Sequence, residues 1–71
     1  MDFINLTSTE ALAAQHASDI LFTWKYVNGL TPTMDRFHHA LELACEYYSV
    51  DITDVVIADA LDFARSFIPA L

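Results

Sequence analysis

Five residues in the middle of the chain have the types and spacing that chemistry could use: Asp35, His38, His39, Glu42 and Glu46. Steps of three and four residues are neighbours on a helix, so Asp35 and Glu42 both fall beside the two histidines. Imidazole and carboxylate are both zinc ligands. The spacing differs from the metalloprotease pattern, in which two histidines four residues apart flank a glutamate. Adjacent His38 and His39 diverge by about 100° around a helix and share a metal poorly within one chain. This face reads as a solvated polar surface with local ion pairs and a mild response to pH, and no metal or other cofactor is expected.

The remaining nucleophiles and acids point the same way. Cys45 is the only cysteine, so an intrachain disulfide is impossible. It lies among apolar residues without cationic neighbours, which suits a buried thiol rather than a reactive one. His16 has no evident partner in the sequence. The four serines lack the surroundings of a nucleophile elbow and of a phosphopantetheine attachment site, which sets acyl carrier proteins aside. Asp51, Asp54, Asp59 and Asp62 follow helical spacing and lack the central glycine of a calcium-binding EF-hand loop. With one glycine in 71 residues, a glycine-rich phosphate loop has no place. An enzyme is not the expected reading.

These side chains must be carried by helices. Thr7-Ser8-Thr9-Glu10 has the form of a capping box, with Thr7 as the cap. A first helix is expected over 8–28, stopped by Asn28-Gly29. Thr31-Pro32 suits the start of a second helix over 32–48, with Pro32 at its first position. Asp51 is placed to cap a third helix over 52–68, with Ser49 as the rival cap. Pro69 ends it. The expected fold is all-α: one small three-helix domain spanning 1–71, with helix-turn-helix-like hairpins, completed by dimerisation.

Helical periodicity then sorts the faces. On the first helix Ala13, Ala17, Ile20, Leu21, Trp24 and Val27 form the expected core stripe. Trp24 is expected to be largely buried against the other two helices, and Phe22 and Tyr26 to lie on the opposite side. Met34, Phe37, Ala40, Leu41, Ala44, Cys45 and Tyr48 form a broad apolar arc on the second. The third is apolar over half its circumference, and its Ile57, Leu61, Phe63, Phe67 and Ile68, together with Trp24 of the first helix, are the expected core or dimer residues.

Charge narrows the functional classes. Ten Asp and Glu face three Lys and Arg, a formal net charge of −7. Nucleic acid and anionic membranes repel such a surface, because binding them relies on cations that neutralise phosphates. A DNA-reading third helix would need basic or amide side chains, and this one is acidic. No apolar run approaches a membrane span. A short, acidic, aromatic-rich chain of 55% hydrophobic residues is expected to bind another protein. The expected role is a cytoplasmic homodimeric adaptor or inhibitor of a partner with a basic surface. Small modulators encoded by phages and mobile elements have these proportions, as do immunity proteins and antitoxins. A structural or regulatory subunit of a larger assembly is the alternative. Partner-binding candidates are Phe22, Tyr26, Glu42, Glu46, Asp59 and Asp62.

Overall fold

Each helix boundary is set by a local competition for backbone hydrogen bonds. The computed structural model describes residues 8–71 and holds α1 (Thr9–Tyr26), α2 (Met34–Tyr48), a 3₁₀ turn (Ile52–Asp54) and α3 (Ile57–Phe67), with no strand among the described residues. The chain is all-helical, as its periodicity predicts.

Ser8 caps α1, its hydroxyl accepting from the amide of Ala11 at 3.0 Å. Thr7, the expected cap, lies outside the described residues. At the far end Gly29 takes φ +69°, the left-handed conformation expected of the residue that follows a helix. Thr33 rather than Thr31 caps α2, accepting from the Arg36 amide at 3.2 Å. Helix α2 therefore starts two residues later than Pro32 suggests. Pro32 is buried in the preceding loop, and proline holds the residue before it extended. The Arg36 guanidinium donates to the Thr31 carbonyl at 2.7 Å and ties that loop to the helix.

Helix α2 closes with Ser49 at φ 56°, where the Ser49 amide donates to the Glu46 carbonyl and the Val50 amide to Cys45. That is a Schellman closure, built without the glycine that usually occupies its left-handed position. The two left-handed positions predict substitutions of opposite sign. A Cβ added at Gly29 meets nothing within 4 Å, so Gly29→Ala costs only backbone strain, about 1 kcal/mol. Ser49→Gly relieves similar strain and gains up to about 1 kcal/mol. Urea denaturation of both variants should move their midpoints in opposite directions.

The third helix is shorter than its spacing suggests. Asp51 does cap, accepting from the Thr53 amide (3.0 Å) and hydroxyl (2.8 Å), but it caps a single 3₁₀ turn. Val55 and Val56 are extended, and α3 begins at Ile57 with no side-chain cap. A run of β-branched residues resists helix and accepts extended backbone. The hydrogen bonds from Thr53 pull the Asp51 carboxyl below its ordinary pKa. A lowered folded-state pKa means this cap stabilises the fold above the ordinary carboxylate pKa. The contribution fades as pH falls through the folded-state value. Asp51→Ala should therefore lower the melting temperature at neutral pH and converge on the wild type in acid.

Helix α1 packs on both α2 and α3, in a flat molecule whose extents are 30 × 27 × 17 Å. The seams are lined with alanine. Ala13, Ala14 and Ala17 of α1, Ala40 and Ala44 of α2, and Ala60 and Ala64 of α3 are all buried. Phe37, Leu21, Leu41 and Ile68 are the largest fully buried side chains.

This arrangement corrects the expected orientation of α1. Its deepest line runs through Ala14, Ala17, Ser18 and Leu21, rotated by roughly 100° from the Ile20–Trp24–Val27 stripe at 100° per residue. Val27 is 77% exposed, and Trp24 is partly buried at the edge of the core. Ser18 enters the core because its hydroxyl donates to the Ala14 carbonyl at 3.2 Å, which removes the cost of burying it. Phe22 and Tyr26 follow Ser18 at helical spacing, so they flank the buried face instead of opposing it.

Candidate protein-binding surface

Large apolar groups left over from the core collect along two edges of α1. On the α3 side, Phe22 and Tyr26 sit one turn apart with ring centroids at 4.4 Å. The Lys25 ammonium lies 4.7 Å from the centre of the Tyr26 ring, within cation–π range. Across from them Phe63 and Phe67 of α3 meet edge to face at 5.2 Å. A groove of about 150 Å³ runs between the helices, lined by Ser18, Asp19, Phe22 and Phe67. Phe22, Tyr26 and Phe67 are 43%, 58% and 52% exposed. They form an aromatic ledge on the α1–α3 edge.

On the α2 side, His16 stacks on Tyr47 with centroids 5.2 Å apart and meets the edge of Tyr48 at 5.8 Å. Leu12, one turn before His16, and Leu43, one turn before Tyr47, are also exposed. Further along this edge a cleft of about 300 Å³ is lined by Trp24, Leu30, Asp35, Arg36 and His39, with the Trp24 and His39 rings 5.7 Å apart.

The structure divides the residues singled out from sequence. Phe22 and Tyr26 share the ledge. Asp59, half-buried, and Asp62, exposed, lie on α3, with Asp59 one turn before Phe63. Glu42 and Glu46 occupy the outer face of α2, opposite its buried Phe37–Leu41–Ala44 stripe, and do not join the ledge. Of the residues expected in the core or a dimer contact, Ile68 is fully buried. Ile57, Leu61, Phe63 and Trp24 are half-buried, and Phe67 is more exposed than buried. The alanines of α3 explain Phe67: Ala60 and Ala64 take the inward positions, and the phenylalanines flank them.

The polar face of α2 comes apart chemically. His39 leans on Trp24, while His38 touches the edge of Phe37 at 5.9 Å. Among the described residues no three of His, Cys, Asp and Glu come together as metal ligands would. Cys45 is buried. Burial, and then the nearby Asp51 charge, push its thiol above its ordinary pKa, the reverse of what activates a cysteine. Asp19 and the His16–Tyr47 stack escaped the sequence reading, which left His16 without a partner, and Phe67 was expected in the core or a dimer contact rather than beside Phe22. Asp19 could have been found as a carboxylate three residues before Phe22 on the same helix.

Among the described residues no helix is long and apolar enough to cross a membrane. Comparison with protein-family models, curated proteins and solved structures returns no match.

Proposed function

We propose that this chain is an acidic protein-binding module that acts as an adaptor or inhibitor of a partner with a basic surface. The observation that carries the reading is the ledge of Phe22, Tyr26 and Phe67, three aromatic rings about half exposed on one edge of a chain of net charge −7. Covering each ring contributes roughly 2 kcal/mol, and aromatic anchors dominate the energetics of protein interfaces. The surrounding carboxylates attract basic partners and repel acidic ones. Affinity capture from host lysate tests the reading. A protein retained by the wild type and lost with Phe22→Ser, whose helicity is checked by circular dichroism, supports it. Identical retention by both proteins, or none by either, overturns it.

A second copy fits the other edge. Leu12, Leu43 and Tyr47 form an apolar patch around the His16 stack, separate from the ledge. A homodimer through this patch leaves the ledge free for a partner, and a permanent subunit of a larger assembly would use both edges. Light scattering on a sizing column should give twice the 8.0 kDa monomer mass at micromolar concentration. Tyr47→Ser should return it to the monomer. A wild-type monomer at high concentration rules the dimer out.

A further inference from the structure

The groove beside the ledge has a chemistry more specific than exposed apolar surface. Its floor is the contact line between α1 and α3, and its walls are the rings of Phe22 and Phe67. Ser18 is buried and its hydroxyl is already committed to the Ala14 carbonyl, so the floor offers no spare donor. Among the described residues that line the groove, the one charged group is the Asp19 carboxylate. Asp19 also lines a second groove on its other side, of about 250 Å³, with His16, Ile20, Thr23 and Trp24. A single exposed carboxylate thus stands between two depressions, one walled by Phe22 and Phe67 against α3 and one on α1 where Ile20 and Trp24 lie beside His16 and Thr23. Lys25, the nearby cation, lies against the Tyr26 ring, almost two turns beyond Asp19.

We infer that this face accepts an amphipathic helix of a partner, carrying a lysine or arginine that seats on Asp19 and large apolar residues that enter the grooves on either side. The inference rests on the protein-binding reading above and names the partner's chemistry. Charge complementarity selects the occupant. A basic helix neutralises Asp19 and is drawn in by the −7 chain, whereas the same groove of a second copy would bring another Asp19 carboxylate and, among the described residues that line it, no cation to pair with it. Helix-in-groove recognition places its anchors at steps of three, four and seven residues. That spacing suits one cation flanked by apolar groups a turn away on each side. An arginine is the better occupant, because its planar guanidinium can pair with the carboxylate while stacking on the Phe22 ring.

The probe is a displayed library of randomised helical peptides, selected on the full chain without any assumption about sequence. Selected peptides should converge on Lys or Arg with large apolar residues three or four positions away. For such a peptide, Phe22→Ser should weaken binding at least about thirtyfold, and Asp19→Asn about five- to tenfold with a flatter salt dependence. Asp54→Asn, the same charge change on the exposed 3₁₀ turn, should leave affinity unchanged. Phe67→Ser provides a second loss from the opposite wall, and circular dichroism confirms that each variant keeps its helices.

Three results overturn the inference. The library returns no binders, or it returns acidic or purely apolar ones. The selected peptides bind equally well to the Asp19→Asn and Phe22→Ser variants, placing them elsewhere. Or the chain alone forms a dimer that Phe22→Ser dissociates, so that a second copy fills the face. Lysate capture that survives in any of these cases keeps the protein-binding reading and discards only the basic helix. Loss of all capture discards both.

Discussion

Phe37→Ala should unfold most of the protein. Among the described residues Phe37 is the largest side chain with no exposure at all, and it enters the core from the first turn of α2. Removing a buried phenylalanine ring costs about 3–5 kcal/mol, the sum of lost transfer energy and the cavity left behind. At about 0.05–0.15 kcal/mol per residue, a chain of this length holds only roughly 4–11 kcal/mol in total. Urea titration followed by far-ultraviolet circular dichroism should show a much earlier midpoint, or no folded baseline. Trp24→Ala is the necessary contrast. Sequence spacing puts Trp24 in the core, but the structure leaves it half-exposed beside His39. Its truncation should cost clearly less than that of Phe37, about 2 kcal/mol or below. If Trp24→Ala proves the more damaging of the two, α1 is rotated toward the orientation that its bulky residues suggest.

That rotation marks the boundary of what the amino-acid pattern reveals here. The number of helices was legible, because each has a stop or start signal that few residues can imitate: Gly29 after α1, Thr31 and Pro32 before α2, and Pro69 after α3. The choice among neighbouring caps was not. Thr31 and Thr33 are chemically equivalent, and tertiary placement of Pro32 decided between them. The start of α3 was missed because Asp51 is a good cap whichever helix type follows it. The β-branched Val55–Val56 pair then broke the continuity that periodicity implied. Phe22 and Tyr26 were legible as candidates because large rings outnumber the positions a small core can hide. Their true neighbour, Phe67, was not. Periodicity ranks residues by bulk and so assigns phenylalanines to the inside, whereas this fold gives its inside to alanine.

That preference for alanine carries the second large effect. Ala17 has no exposure, and the surfaces α1 packs against include the equally buried Ala40, Ala44 and Ala64. Small residues let helices approach toward the short end of the usual 8–10 Å interaxial range. A leucine at position 17 adds three carbons to a fully buried position in a seam lined largely by alanine. Overpacking costs typically about 1–3 kcal/mol, and the alanine surroundings place Ala17→Leu at the upper end, because relief requires a helix to move. The same chemical change at Ala58, exposed on α3, should stay within about 0.5 kcal/mol. For a domain of this size each kcal/mol moves the melting temperature by about 4–8 °C, so the pair should separate by well over about 10 °C. Because α1 is the helix that contacts both others, displacing it should also open the α1–α3 groove, and peptide binding at Phe22 should fall with stability. Equal melting temperatures for Ala17→Leu and Ala58→Leu would mean that the seams are looser than their burial implies. The aromatic ledge would then owe its position to something other than the close approach of α1 and α3.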